Sequence, residues 1–336
     1  MNKTKLKVIF FGLGSIGQRH LQNISKLFSN LEIYSFKKNY NNFLIKDGKK
    51  NIKVDILKKY KIKKISSLSE LNSINFDFGF ICNPSSLHVK FALILAKLGV
   101  NLFIEKPLSN SLKDVIKLKN IIKKKKIKCM LGFNLRYNQC YNFIKKKLNN
   151  KTFFGKIYKV DLFNGEYLPD YHPYENYRNS YASKKKLGGG VLLTQIHELD
   201  LILSLFGKPK KIYSYCNKIS NLEIDVEDNI DALMIMKDKI ILNLHLDYIT
   251  KPPIRYLNIY GYKKNLLWDY YKNEITIINR NNFIKKKIRF NDFDRNKMFE
   301  DELKDFINLK KNNQNLPNIE DGIESLKLAI QLKKKI

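Results

Sequence analysis

The sequence predicts two domains of different class. Residues 1–132 read as an α/β domain with a doubly wound parallel sheet, and residues 133–336 as an α+β domain with a mainly antiparallel open sheet. Three observations carry this. Short apolar runs alternate with helical patterns through the first third of the chain. A glycine-rich turn joins the first apolar run to the first helical pattern. After about Asn134 the spacing changes to strand-like alternation broken by short turns. With 336 residues, 44% apolar and 12% aromatic, the chain can build two real cores.

Taken in order, Lys7 to Phe11 reads as a buried strand, Ser15 to Phe28 as a helix and Leu31 to Phe36 as a second strand. Phe76 to Cys82 is a strand, followed by a helix over Ser86 to Leu98 with apolar Val89, Leu93 and Ala96. Asn101 to Ile104 is a strand, Ser111 to Lys126 a helix opened by Ser111 with Asp114 as an acidic capping box, and Lys128 to Gly132 a closing strand. Strands alternating with helices imply a parallel sheet. In the second part, Phe154 to Tyr167, Lys211 to Ile219, Ile230 to Met236, Ile240 to Tyr248, Tyr256 to Tyr262 and Glu274 to Ile278 read as an antiparallel meander. Helices are expected over Gln139 to Leu148, Val191 to Phe206, Arg295 to Leu309 and Glu320 to Lys334.

The formal net charge is +32 and the isoelectric point about 9.8. Such a balance raises nucleic acid or an anionic membrane as partners. The excess is nearly all Lys, in a chain also crowded with Asn and Ile, and its runs (123–126, 145–147, 184–186, 285–287 and 333–335) are scattered rather than gathered on one arm. They read as solvated helix ends and loops, so no nucleic-acid partner is expected. Arginine is scarce, with seven in the chain, and where it survives it marks a need for the planar fork; this bears on Arg136 and Arg178. Cys82, Cys129, Cys140 and Cys216 show no C-x-x-C spacing, so neither a metal site nor a redox dithiol is expected and a reducing cytoplasm fits. The N-terminus is basic and then apolar in the manner of a signal peptide, but its apolar run is short and glycine-interrupted. No stretch is long and apolar enough to span a membrane, and no membrane partner is expected.

Gly12-Leu13-Gly14-Ser15-Ile16-Gly17 is G-x-G-x-x-G placed between a strand and a helix, the context of a Rossmann dinucleotide site. Gly12 permits the turn, Gly14 lets the backbone approach a pyrophosphate, and Gly17 lets helix and strand pack; Ser15 and Ile16 open the helix whose free N–H groups meet the phosphates. The competing reading is a glycine turn without a ligand. At the end of the second strand, Tyr34-Ser35-Phe36-Lys37-Lys38 has no carboxylate for a ribose 2′-hydroxyl. Ser35 and Lys37 would tolerate a 2′-phosphate, which favours NADP(H) modestly over NAD(H). Two further strand ends carry Cys82-Asn83-Pro84, with His88 following, and Glu105-Lys106-Pro107; strand C-termini are where such sheets place ligands.

Together with the glycine loop, these motifs resemble the Gfo/Idh/MocA family of oxidoreductases, named for glucose–fructose oxidoreductase and inositol dehydrogenase. Gly132-Phe133-Asn134-Leu135-Arg136 is similar to the family's entry into its second domain, and residues 188–200, beginning Gly188-Gly189-Gly190, to its glycine loop and active-site helix. Glu302, Leu303, Phe306, Asp321, Gly322, Ser325 and Leu326 resemble its C-terminal helices. The resemblance implies that Asn83, Pro84, His88, Glu105, Lys106 and Arg136 border an NAD(P) site, and that the protein is a homo-oligomer. It also implies that Lys106 and His197 handle the proton while a hydride moves to or from the nicotinamide, whose positive charge should depress a nearby lysine pKa. Where much of the family has an Asp three residues before the His, this chain has Thr194. A threonine can bond substrate or orient the imidazole but is no carboxylate, and His197 could equally be a satisfied core histidine.

The aromatic, proline-stiffened segment 167–178 leads to Tyr181 and resembles the substrate loop of members with surface-glycan and nucleotide-sugar chemistry. Asp170, His172, Arg178, Tyr181, Thr194, His197 and Lys106 are the expected substrate contacts, on a sugar ring and a phosphate. A structural crossover or an oligomer contact would explain the segment equally. The reading is an NAD(P)-dependent dehydrogenase or reductase acting on a hydroxyl or keto group of a sugar-like substrate, free or nucleotide-linked. The alternatives are a cyclitol dehydrogenase and, because of Thr194, a cofactor-binding sensor or assembly protein without turnover.

Overall fold

The computed structural model describes residues 5–36, 43–46, 49–51, 54–290, 294–308 and 316–334. In chain order, β1 (Leu6–Phe11), α1 (Ser15–Leu27), β2 (Leu31–Phe36), the hairpin β3 (Leu44–Lys46) and β4 (Lys49–Asn51), α2 (Ile56–Lys59) and β5 (Lys63–Ile65) open the first domain. Then come β6 (Phe78–Ile81), α3 (His88–Lys97), β7 (Asn101–Ile104), α4 (Val115–Lys125) and β8 (Cys129–Leu131). Six strands form one parallel sheet in the order β5-β2-β1-β6-β7-β8, as the alternation predicted. The apolar N-terminal run is its central strand, buried from Val8 to Phe11. The helix expected from Ser111 starts only at Val115. Asp114 takes a left-handed conformation (φ +58°) that a helix cannot include, so no capping box forms there.

The second domain runs α5 (Gln139–Asn149), α6 (Lys151–Phe154), β9 (Ile157–Gly165), α7 (Val191–Thr194), α8 (His197–Phe206), β10 (Lys211–Asn217), β11 (Asn229–Ile235) and β12 (Ile241–Asp247). It continues with β13 (Ile254–Gly261), β14 (Lys264–Asp269), β15 (Glu274–Asn279), β16 (Lys285–Arg289), α9 (Arg295–Asn308) and α10 (Ile319–Leu332). The eight-stranded sheet has the order β10-β11-β12-β9-β13-β14-β15-β16. It is mainly antiparallel, but β9 inserts beside β12 in parallel, so it is a mixed sheet rather than a simple meander. The lysine run 285–287, expected in a helix end or loop, forms the edge strand β16, where charge discourages further pairing. The helix expected over Val191 to Phe206 breaks at Gln195 and Ile196, and α8 begins afresh at His197.

A cut at 132/133 does not separate the packing units. Val8, Phe10, Phe80 and Phe103 on one face of the parallel sheet pack with Leu21 and Ile24 of α1, and with Leu303 and Phe306 of α9. The last third of the chain thus returns to complete the first domain. Ile9, Phe11, Ile81 and Ile104 face the other way, against Ala92 and Leu95 of α3 and Leu118 of α4, in a core continuous with the second domain. There, Val160, Leu162, Leu244 and Ile259 share a core with Leu199 and Ile202 of α8 and Leu326 of α10. Among the described residues no single helix is long and apolar enough to cross a membrane.

Candidate active site

The site lies where the C-terminal ends of β1, β6 and β7 meet α7 and α8. Gly12 has φ +100°, and a Cβ there would lie 2.7 to 2.8 Å from the backbone of Cys82 and Asn83. A Cβ at Gly17 would lie 2.1 Å from the Gly12 carbonyl oxygen. These two positions let the turn and α1 seat against the end of β6. Gly14 differs: no atom lies within 4 Å of where its Cβ would be, and no side chain caps α1. The first turn of α1, formed by Ser15, Ile16 and Gly17, therefore offers its positive end to open space. Beside the turn, both side-chain atoms of Asn83 are buried without a protein partner. A buried orphan carboxamide calls for an explanation. Together with the space over Gly14 it fits a bound dinucleotide.

Several residues expected at the cofactor tie the surrounding loops together. Pro84 precedes a short turn whose Ser85 hydroxyl donates to Gly188 O at 3.1 Å, docking this loop onto the triple glycine of the second domain. A Cβ at Gly188 would overlap that hydroxyl at 2.0 Å. His88 is buried with Nδ1 2.7 Å from Pro107 O and Nε2 2.7 Å from Asn83 O, so it ties two loops together. Burial holds it below the ordinary histidine range. The Glu105 carboxylate turns inward to His20 of α1, with 2.6 Å between Oε1 and Nε2, and its Oε2 accepts from Lys106 N. Behind it, buried Glu302 of α9 is pushed well up by burial and then by Glu105, which disfavours its charged form.

Two more expected residues are taken up by burial and pairing. Ser35 is fully buried within β2 and not at an open strand end. Lys37 lies outside the described residues. Arg136, expected beside the dinucleotide, is paired within the second domain: it forks onto Asp200 of α8 at 2.9 and 2.6 Å and reaches Asp321 of α10 at 2.9 Å, so it locks two helices together. Asp200 is accordingly a buried structural partner.

Lys106 follows the end of β7, and its Nζ donates to Thr194 O at 2.8 Å, at the end of α7. His197 opens α8 just beyond. Burial first, then the charges of Lys106, Arg255 and Arg295, hold its imidazole well below the ordinary histidine range, so it is neutral at neutral pH. Its Nδ1 has no protein partner. A satisfied core histidine would have one, so the geometry disfavours that alternative. Thr194 does not orient the imidazole, because its hydroxyl is buried against Gly190 O and the Tyr248 hydroxyl. Thr194 serves through its backbone, by holding Lys106.

Of the loop residues, His172 has its basicity lowered by burial and then by the charges of Lys106 and Arg295. The Tyr174 hydroxyl lies 3.3 Å from His172 Nδ1 and also bonds Ser15, linking the loop to the glycine turn. Tyr181 opens a short turn beside Tyr248, whose hydroxyl donates to Ala182 O at 3.5 Å. Two expected substrate contacts are turned elsewhere. Asp170 is exposed and pairs with Lys251 at 2.8 Å, and Arg178 pairs with Glu223 at the surface. Tyr174, Tyr248 and Gln195, which bonds the Tyr171 hydroxyl at 3.0 Å, carry no sequence signal that singles them out.

Residues 6–133 match the family described as an oxidoreductase family with an NAD-binding Rossmann fold, and residues 145–266 match the Gfo/Idh/MocA C-terminal domain. The chain belongs to the Gfo/Idh/MocA family. Its relatives include a myo-inositol 2-dehydrogenase from Thermotoga maritima, 23% identical over 69% of this chain and 64% of that protein. A levoglucosan dehydrogenase from Pseudarthrobacter phenanthrenivorans is 28% identical over 38% of this chain and 32% of its own length. The chain therefore matches less than two thirds of either relative. Among solved Gfo/Idh/MocA-like folds, a UDP-N-acetylglucosamine 3-dehydrogenase from Acidithiobacillus ferrooxidans superposes with a TM-score of 0.77 at 18% identity, covering 98% of this chain and 97% of that one. Levoglucosan dehydrogenase in complex with NADH gives 0.81 at 15% identity, covering 98% and 96%.

Proposed function

We propose that this chain is an NAD(P)-dependent oxidoreductase that interconverts a hydroxyl and a keto group on a sugar-like substrate, free or nucleotide-linked. The observation that carries the reading is the pairing, beside the open glycine turn, of a lysine anchored by one backbone bond with a neutral histidine that lacks a protein partner. A bound nicotinamide would accept or supply the hydride. This chain holds the dinucleotide at Gly14, Ser15, Ile16, Gly17 and Asn83, and Lys106 takes or returns the hydroxyl proton through Nζ. His197 faces the same oxygen as a neutral hydrogen-bonding group, and His172 and Tyr174 close the site from the loop side. The test is turnover with polyols, cyclitols and nucleotide sugars in the presence of each nicotinamide cofactor. Activity on a cyclitol alone would select the inositol-like alternative, and binding without turnover the sensor.

Gly14→Val tests the cofactor half. The backbone is extended at φ −73° and the surrounding space is empty, so the fold tolerates the branched side chain while the pyrophosphate cannot approach. Calorimetric titration is expected to show NAD(P)H affinity at least about tenfold weaker, with the apo melting temperature unchanged. Equal affinity would place the cofactor elsewhere. The same titrations compare the two cofactors. NADP(H) is expected to bind at least as well as NAD(H), since the end of β2 offers no carboxylate, and a clear NAD(H) preference at moderate salt would refute that.

A second copy of the chain covers the outer face of the large sheet in this reading. On the three outward registers of β9 and β11–β15, eighteen positions, the only cation is Lys159, in a chain with 63 Lys and Arg among 336 residues. The face instead carries Phe163, Leu233, His245, Tyr256, Asp231 and Asp269, with Lys287 and Arg289 on the edge strand able to meet the acidic centre of a two-fold mate. Light scattering at micromolar concentration is expected to give a dimer or larger, and Leu233→Lys to lower the mass. A monomeric wild type refutes this. The four free cysteines support a reducing, cytoplasmic setting.

A further inference from the structure

A buried hydrogen-bonded pair adjoins Lys106. The Glu105 carboxylate belongs to a residue 5% exposed, and the His20 ring is fully buried. One carboxylate oxygen, Oε1, lies 2.6 Å from His20 Nε2 on α1, and the other, Oε2, accepts from Lys106 N at 3.1 Å. The carboxylate therefore joins the helix that opens on the glycine turn to the backbone of the lysine.

The surroundings of the pair are closely fitted. A Cβ at Gly132, the residue after β8, would lie 3.0 to 3.1 Å from the carboxylate, so the glycine leaves the space that this group fills. The His20 ring meets Phe103 edge-on at 4.8 Å and Phe299 at 5.9 Å, with Phe80 at 6.1 Å. Among the described residues His20 Nδ1 has no partner, so the one hydrogen bond of the ring is the one to Glu105. Burying two polar groups among aromatic rings costs the fold, and an apolar pair would fill the same space without that penalty. Lys106 in turn is held at two points, its backbone N–H on Glu105 and its Nζ on Thr194 O at 2.8 Å.

We infer that His20 is a positioning residue for Lys106: by fixing the Glu105 carboxylate it fixes the backbone from which the lysine reaches the reacting oxygen. This rests on the oxidoreductase reading above, in which Lys106 carries the proton, and adds the group that aims it. A lysine ammonium sits on a flexible stem, so its placing depends on what anchors the base of that stem. A misplacement of about 1 Å can cost about 10²-fold in rate. The same bond ties the lysine to α1, so the helix that meets the phosphates and the group that moves the proton share one frame.

The first readout needs no substrate. Trace acetic anhydride labels the apo protein, and peptide mass spectrometry gives the rate at Lys106 relative to the other lysines. In His20→Leu, which keeps the bulk and removes the hydrogen bond, Lys106 acetylation is expected to rise at least about threefold as the amine is freed from Thr194 O. His20→Gln, whose amide can replace Nε2, should restore the wild-type rate. Phe299→Leu disturbs packing on the same ring but leaves the bond, and should not change it. If His20→Leu does not fold, His20→Asn, whose shorter amide falls short of Glu105, takes its place. With whichever polyol, cyclitol or nucleotide sugar is turned over, His20→Leu should lower kcat at least about tenfold, with KM and NADH affinity within about threefold. Combined with Lys106→Met it should slow turnover by less than about twofold beyond that variant, since no lysine is left to position. An unchanged labelling rate at Lys106, or the full extra loss in the double variant, overturns the inference. A loss of NADH affinity as large as the loss of kcat moves His20 to the cofactor and also overturns it. The labelling response without turnover on any substrate supports the placing of Lys106 and removes the oxidoreductase reading.

Discussion

Lys106→Met is expected to lower turnover by about 10² to 10⁴-fold, the range for losing a general acid–base group, while dinucleotide affinity stays within a few fold. The side chain is anchored on Thr194 O across the domain junction and not on the glycine turn, so its loss is expected to spare the phosphate site. Methionine keeps the stem and removes the ammonium. Two readouts separate catalysis from support: kcat under saturating cofactor, and NAD(P)H affinity by titration. The pH profile adds a third. Lys106 is, after burial, the leading cause of the depressed His197 pKa, so in the variant that pKa rises toward the ordinary histidine value. The acid limb of the residual activity should move to higher pH, since protonated His197 appears sooner as pH falls. Wild-type rates from Lys106→Met would take lysine out of the mechanism. An inactive wild type with intact NAD(P)H binding would favour the non-catalytic alternative.

The largest stability effect is expected at Arg136. Its guanidinium is nearly buried between Asp200, itself 1% exposed, and Asp321. Arg136→Ala strands the Asp200 carboxylate in the core and should destabilise the protein by about 3–5 kcal/mol, read from chemical denaturation. Pairing Arg136→Met with Asp200→Leu should cost clearly less than the single Ala variant, because no uncompensated charge remains. If the single and double variants lose the same stability, the site contributes through shape and not through charge. Catalytic geometry at Lys106 is expected to survive in whatever fraction stays folded, since Arg136 touches neither Lys106 nor His197.

Much of the fold was legible because local rules and tertiary context agree in the first domain. Buried parallel strands need continuous apolar runs, and Lys7 to Phe11 or Asn101 to Ile104 have no other reading. Capping at Ser111 failed because the conformation of Asp114 is set by how α4 seats Val115, Leu118 and Ile122 on the core, not by the two side chains alone. The edge strand at 285–289 was invisible for the opposite reason: it pairs through its backbone, and its side chains obey solubility rather than a core. Site residues followed the same division. Gly12 and Gly17 seat the turn as the motif requires, whereas Glu105 and Arg136 turn inward to partners far along the chain and His88 ties two nearby loops.

By itself the sequence determined the two classes of domain, the glycine turn between β1 and α1, and the placing of a lysine and an asparagine at neighbouring strand ends, because each depends on residues within a few positions of one another. Only the tertiary structure decided that α9 returns to the first domain, that β9 lies parallel to β12, and that Thr194 acts through its carbonyl. Those outcomes depend on which buried charges and apolar faces find partners across hundreds of residues. That is a global packing problem, and no local spacing encodes its solution.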